Sequence, residues 1–481
     1  MKKIELYCCI TLLALSQGCN SDFLNLAPIS NTNNVNFYRN ADDMLNAVNA
    51  AYSGLRLSGV YNSAMYAIGE IRSDNTEILD AQAGIEVTQI DAFTTLTNNS
   101  AINTMWNQHY QAILYCNTVI DRITNVEMSQ ALKDRYTAEA LFLRSLLYFN
   151  LVRSFGDVPL VLKETTDVQE GYTYGRAPVA DVYARIEADL QTAEANLPAS
   201  YTGNDIGRAT SGAAKGLLAK VYLTQKKWDQ AASKTGEIIS SGTYSLLSNY
   251  ADIFAISNKN NKESLFEVQY KKGGFGLGSP FNNAFAPRLS GVVVTTIGAG
   301  GGQNHPTAEL IGSYESGDLR KDISLATGYQ NGSTFVAVPY VKKYLDPAPF
   351  AAGDADNNWP VLRYADVLLM RAEALNELSY SAGGESFELL NQIRKRAGLP
   401  LKTPADLPTQ QDFRLAIEHE RRYELAFENH RWFDLLRTDR AIPVMNSKGF
   451  SVQPYQLLLP IPQNQIDINP TVLKQNPGYT E

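Results

Sequence analysis

Apolar residues recur at three- and four-residue steps along much of the chain. In the stretch AEALFLRSLLYFNLV, the residues Ala138, Leu141, Phe142, Ser145, Phe149 and Val152 fall on such steps. That is the period of a helix with a buried face. Gly156 is placed to stop this helix, and Val158-Pro159 to begin an extended exit. Similar patterns predict helices over 42–57, 102–124, 179–197, 211–225, 228–240, 361–377, 387–397 and 413–437.

Two helix pairs carry the spacing of tetratricopeptide repeats. In SGAAKGLLAKVYLTQKKWDQAASKTGEIISSG, Ala219, Tyr222, Trp228 and Ala231 occupy the small and aromatic packing positions. Small residues let two helices approach, and the aromatic ring fills the groove beside them. Ile238 and Thr243 stand where that repeat usually has a small residue and a proline, so the unit is degenerate. RYADVLLMRAEALNE and SFELLNQIRKRAG repeat the arrangement around a Gly383-Gly384 turn. The expected fold class is all-α, with helix pairs packed against a loop-rich region. Loops of unusual length run over 271–306, with GGFGLGSP and GAGGGQ, and over 345–360, with DPAPFAAGDADNNWP; the tail from Pro443 is rich in Pro, Asn and Gln. Loops longer than about 12–15 residues are usually functional or disordered, and here they predict a recognition surface on a rigid frame.

Length allows a sizeable core: 481 residues, 44% hydrophobic, in one large domain or two. The net charge of -8 gives no electrostatic footprint for nucleic acid. The N-terminus addresses the chain for export. Lys2 and Lys3 precede a short apolar stretch, Ile10 to Leu15, and Ser16-Gln17-Gly18 lead into Cys19. This predicts a signal peptide over 1–18, with Cys19 acylated as the mature N-terminus and lipid anchor. No later apolar run reaches the length of a membrane span. Cys116 lies among Leu114, Tyr115 and Val119 and reads as a buried structural thiol. The 26 tyrosines suit stacking on hydroxylated ligands and aromatic helix packing equally.

Catalytic motifs fail on spacing. HERRY at His419 has Tyr423 where a zinc protease has its second histidine. VVVTTIGAGGGQ mimics a dinucleotide fingerprint, yet Gln303 replaces the last glycine and His305-Pro306 follows where a helix should start. DADNN from Asp354 begins like a calcium loop, but Trp359 and Ala365 replace the needed glycine and glutamate. No GxSxG elbow exists. A glycosidase-like carboxylate pair is not singled out, which leaves a glycan hydrolase on a helical scaffold as the enzymatic alternative. The charged run EHERRYELAFENHRWFDLLR reads as one structural helix, with Glu418–Arg422 and Glu428–Arg431 paired along it and Phe427, Trp432 and Phe433 buried.

Taken together these segments closely resemble the SusD/RagB family of outer-membrane nutrient-binding lipoproteins. The resemblance is carried by SDFLN after Cys19, AEALFLRSLLYFNLVRSFGDVPLV, PVADVYARIEADLQTAEANLP, RATSGAAKGLLAKVYL, RYADVLLMRAEALNE, LNQIRKRAGL, ERRYELAFENHRWFDLLR and LLPIPQNQIDINPTVLKQNPGY, in that order. It implies four tetratricopeptide-like units at about 41–60, 101–155, 178–241 and 361–398, in one domain over 19–481. A binding face at about 61–100 and 265–360 and a C-terminal helix and tail over 411–481 complete it. It also implies a non-catalytic, cofactor-free and metal-free protein at the cell surface. There it would cap a SusC-like TonB-dependent transporter as a lid and deliver an oligosaccharide, or in some members a peptide. In similar proteins the ligand site draws on loops that correspond here to Asn33–Asn36, Asp74–Phe93, Tyr270–Phe285 and Trp359–Arg363. Phe93, Phe281, Phe285 and Trp359 are then expected to offer flat faces, and Asp74, Asn75 and Arg363 to pair with hydroxyls. The sequence has no loop with several tryptophans, which argues against a broad starch-like platform.

Overall fold

A computed structural model describes residues 38–479, so the signal segment, Cys19 and Asn33–Asn36 lie outside the described residues. Eight helices make the frame: α1 (Ala41–Gly54), α2 (Ser100–Arg122), α3 (Gln130–Phe155), α4 (Val179–Asn196), α5 (Ser211–Thr224), α6 (Trp228–Ser240), α7 (Tyr364–Leu378) and α8 (Glu385–Arg396). Each packs on the next, giving four successive helix pairs. Local chemistry sets their ends. Asn99 accepts from the backbone N–H groups of Ala101 and Ile102 to start α2, and Thr210 accepts from Ala213 to start α5. Gly156, at φ 73°, ends α3 in a conformation that L side chains resist. Helix α3 is buried on nearly every side from Tyr136 onward because α1, α2 and α4 surround it. Close approach fixes Gly216 of α5, where a Cβ would come within 2.9 Å of Leu265. Cys116 is fully buried in α2.

Two elements differ from the sequence expectation. The predicted helix over 361–377 starts only at Tyr364; the residues before it form a strand, β2 (Trp359–Arg363), paired antiparallel with β1 (Ser264–Val268). Trp359, Pro360, Val361 and Leu362 are four apolar residues in a row, all buried, and Pro360 disfavours helix at the residue before it. The predicted helix over 413–437 is two, α9 (Gln410–Glu424) and α10 (Arg431–Arg437). Between them Phe427 and Asn429 each take φ 66°, and the freed backbone N–H groups of Glu428 and Asn429 donate to the Glu70 carboxylate. Helix α9 opens on a capping box, Thr409 with Asp412. Trp228, at the start of α6, is half-buried rather than part of the deep core.

Candidate functional site

Beneath the loop-rich face lies an aromatic sub-core. Tyr344 stacks on Trp359 with ring centroids 4.8 Å apart and planes 6° from parallel, and Phe281 meets Trp359 at 4.7 Å. Phe285 packs edge-on against Tyr66 at 4.9 Å. Trp359 and Phe281 have 0% of their surface exposed. The expectation that Phe281, Phe285 and Trp359 face a ligand is therefore corrected: they are the floor on which the loops sit. Phe93 is likewise buried, between Trp432 at 5.4 Å and the Arg72 guanidinium at 4.5 Å.

The polar candidates are engaged inside the protein too, and the reason is charge. Arg363 donates all five of its N–H bonds: to Glu428, Glu263, both carboxylate and carbonyl of Glu424, and Glu428 again, at 2.6–3.0 Å. Asp74 accepts from Arg431 at 2.7 and 2.9 Å. Asn75 accepts from Arg422 and donates to Glu70. Asp74, Asn75 and Arg363 are all buried, so none reaches a ligand directly. Apart from Arg437–Asp434 within α10, the run 418–437 thus forms its ion pairs across elements, not along one helix. Glu428 pairs with Arg363 and Lys343, Arg422 with Glu309 and Asp74, and Glu418 with Arg431 and Arg440. Burial alone would raise the Glu424 carboxyl, but Arg396, Arg363 and Arg320 around it hold it well below its ordinary value. Glu70 lies on the other side of that balance. Burial pushes it up to about 8 despite the hydrogen bond from Asn75.

Of the apolar side chains that the loop-rich face presents to solvent, Leu289, Val292, Val293 and Phe335 among them, two rings lie together: Phe275 (66% exposed) and Phe350 (59%). Their rings flank Gly274: a Cβ there would meet Phe350 at 3.0 Å. The backbone beneath is tied in several places. Ser279 and Ala355 exchange main-chain hydrogen bonds, Lys271 N–H donates to the Leu277 carbonyl, and Asp354 accepts from the N–H groups of Gly273 and Gly274. Lys272 pairs with Asp346 at 3.1 Å and Lys259 with Asp356 at 2.7 Å. Asp354, the first residue of the calcium-like run, thus closes a loop. Asn283 clamps a third segment. Its side-chain amide donates to the carbonyls of Ile297 and Ala299, and its oxygen accepts from Gly353 N–H. The glycines of GAGGG belong to this clamp, because a Cβ on Gly301 would come within 2.8 Å of the Ala284 carbonyl. That accounts for a run that mimics a nucleotide motif. The result is two neighbouring exposed aromatic rings on loops cross-tied by backbone and side-chain hydrogen bonds. Such a surface can stack on the C–H faces of a sugar, with Lys271, 6.0 Å from the Phe275 ring, as a nearby donor.

Sequence reasoning passed over both rings. Phe275 stands among glycines, with only Leu277 near it, and Phe350 stands between proline and alanine, so neither sits in an apolar run. That isolation is the signal for exposure.

Residues 287–479 match the SusD family, and residues 22–223 match the family described as starch-binding, associating with outer membrane. SusD-like protein P25 of Formosa agariphila is 28% identical, over 92% of this chain and 93% of its own length. Among solved structures, a laminarin binding SusD-like protein is similar with TM-score 0.79 at 30% identity, covering 92% of this chain and 100% of that one. The surface glycan-binding protein A from Bacteroides fluxus gives TM-score 0.79 at 26% identity, with 92% and 100% coverage.

Proposed function

This chain belongs to the SusD/RagB family, and on that footing we propose that it is a lipid-anchored surface protein that captures an oligosaccharide and hands it to a TonB-dependent outer-membrane transporter without chemistry. The observation that carries the reading is the pair of exposed rings, Phe275 and Phe350, on clamped loops. Rings held in place before binding lose little conformational freedom when a sugar stacks on them, so modest contacts give useful affinity. A relative described as laminarin-binding makes a β-glucan the first ligand class to test. The seven residues expected from sequence enter this reading as support: the buried aromatics fix the floor, and the buried ions fix the frame around it. The transporter partnership, the lid role and the anchor at Cys19 follow from the family resemblance.

Calorimetric titration of the mature protein against laminarin, an α-glucan and a peptide mixture tests the reading. Product analysis of the same samples follows in parallel. Saturable binding of a glycan that is recovered intact is expected. Binding of peptides alone, or shortened glycan products, would replace this reading with a peptide carrier or a hydrolase.

A further inference from the structure

A second cavity lies away from the loops, against the helical frame. It has a volume of about 410 Å³ and is lined by Trp228 of α6, Glu373 of α7, Arg414 and Arg421 of α9, Arg437 of α10, and Arg440. That volume suits a ligand of one or two sugar units. Its walls are dense in charge, and the charges are unequally engaged.

The carboxylates are occupied by arginine. Glu373 takes both terminal nitrogens of Arg437, Glu377 is gripped by Arg414, and Asp434 accepts from Arg421 and Arg437 at 2.8 Å each. Glu418 accepts from Arg440 at 3.0 Å and from Arg431. The groups left over are donors. Arg421 is 2% exposed, and its Nη2 is buried without a hydrogen-bond partner. Its Nε and Nη1 are held by Asp434 and Asp366, so the free nitrogen is fixed in place. Arg440 has only its Nε engaged, and the Trp228 indole N–H has no protein acceptor among the described residues. A cavity whose carboxylates are each paired with arginine, beside donors that have no partner, favours an acceptor-rich, anionic ligand. The half-buried Trp228 ring adds a flat apolar wall.

We propose that this cavity is a second binding site, for a small carboxylate carried on a ring with an apolar face, such as a hexuronic acid. The inference is independent of the exposed rings at Phe275 and Phe350.

The protein contains its own reporter. Of the four tryptophans, Trp106, Trp359 and Trp432 are buried and Trp228 is half-buried, so acrylamide quenching of the native chain reads mainly this cavity. The mature protein is titrated with D-glucuronate, D-glucose and N-acetyl-L-phenylalanine at low ionic strength. Glucuronate is expected to protect Trp228 from acrylamide in a saturable way, with the midpoint moving to higher concentration as salt is added. Glucose, which has the ring without the carboxylate, should leave quenching unchanged. Protection by N-acetyl-L-phenylalanine at lower concentration than glucuronate also supports the site and assigns it to a peptide terminus. Calorimetry of Trp228→Leu and of Arg440→Gln, a change at a half-buried position outside the core, should show binding about tenfold and about threefold weaker. Protection by glucose equal to that by glucuronate, no protection by either acid, or parental affinity in both variants overturns the proposal.

Discussion

Arg363→Met offers the sharpest test of how the frame is held. The arginine is 2% exposed and directs all five N–H bonds at three glutamates and one carbonyl. Methionine keeps an apolar stem of similar reach but no donor. Each glutamate retains at least one other cation: Glu424 has Arg396 at 2.6 Å and Arg320 at 3.3 Å, Glu263 has the same Arg396 at 2.6 Å, and Glu428 has Lys343 at 2.7 Å. Removing one partner of a buried ion pair costs about 3–5 kcal/mol, and the remaining cations place the loss near the lower bound. Urea unfolding followed by far-ultraviolet circular dichroism at pH 7 measures it. The loss should come from uncompensated charge, so adding Glu428→Gln must recover part of it. Acid should narrow the gap as well. Glu424 is held below its ordinary value of 4.5, so its contribution is present above that value and is lost as pH falls. With Arg363 gone that depression weakens, and the deficit shrinks as the pH drops below 4.5. A variant within about 1 kcal/mol of the parent at pH 7 refutes the reasoning. So does a double variant that is worse by the sum of its parts.

The raised Glu70 carboxyl gives the opposite sign: its contribution is full below 4.5 and is lost as pH rises through about 8. Glu70→Gln should therefore gain thermal stability relative to the parent between pH 6 and pH 9, read from paired melting curves. Phe275→Ala and Phe350→Ala should each weaken glycan binding by about 1 kcal/mol in calorimetry and leave the melting temperature unchanged. Trp359→Ala, which opens the buried floor, should instead cost about 3–5 kcal/mol of stability in urea titrations. Cys19→Ala should abolish palmitate labelling and release the protein from the membrane fraction; a variant that still labels and sediments with membranes refutes the anchor.

Periodicity made the frame legible because helices carry their packing instructions locally. The helix over 228–240 is found where its pattern places it, and 211–225 differs from α5 by one residue. Strand β2 was missed because four consecutive apolar residues suit a buried strand or a buried helix, and only the pairing with β1 decides. The loop-rich region was legible from its composition, and the rings in it that are exposed were misread. Phe281 and Phe285 stand four apart in FNNAFA, and Trp359 opens the apolar run WPVL. Such neighbours mark a ring for packing, whereas Phe275 has only Leu277 among glycines and Phe350 only alanines and prolines. The ion network was beyond reach for a different reason. Arg363 finds Glu428 across 65 positions and Arg431 finds Asp74 across 357, distances at which one sequence carries no record of pairing.

That last separation has a consequence for how the chain matures. Glu70, Asp74 and Asn75 receive their hydrogen bonds from residues 422–431, and Arg72 reaches the carbonyl of Gln456. A polypeptide that emerges N-terminus first holds the Asp74 carboxylate without a cation until almost its whole length is out. The early helices can form at once, since each packs on its neighbour, but the segment between α1 and α2 must wait. Completion is therefore gated by the last sixty or so residues, and a chain cut short before residue 420 leaves Asp74 without Arg422 and Arg431 and the Glu70 carboxyl without the backbone donors of Glu428 and Asn429. Residues 70–75 lie in one of the two stretches that match separate family descriptions, 22–223, and residues 422–431 in the other, 287–479, so each stretch carries half of a lock that neither closes alone.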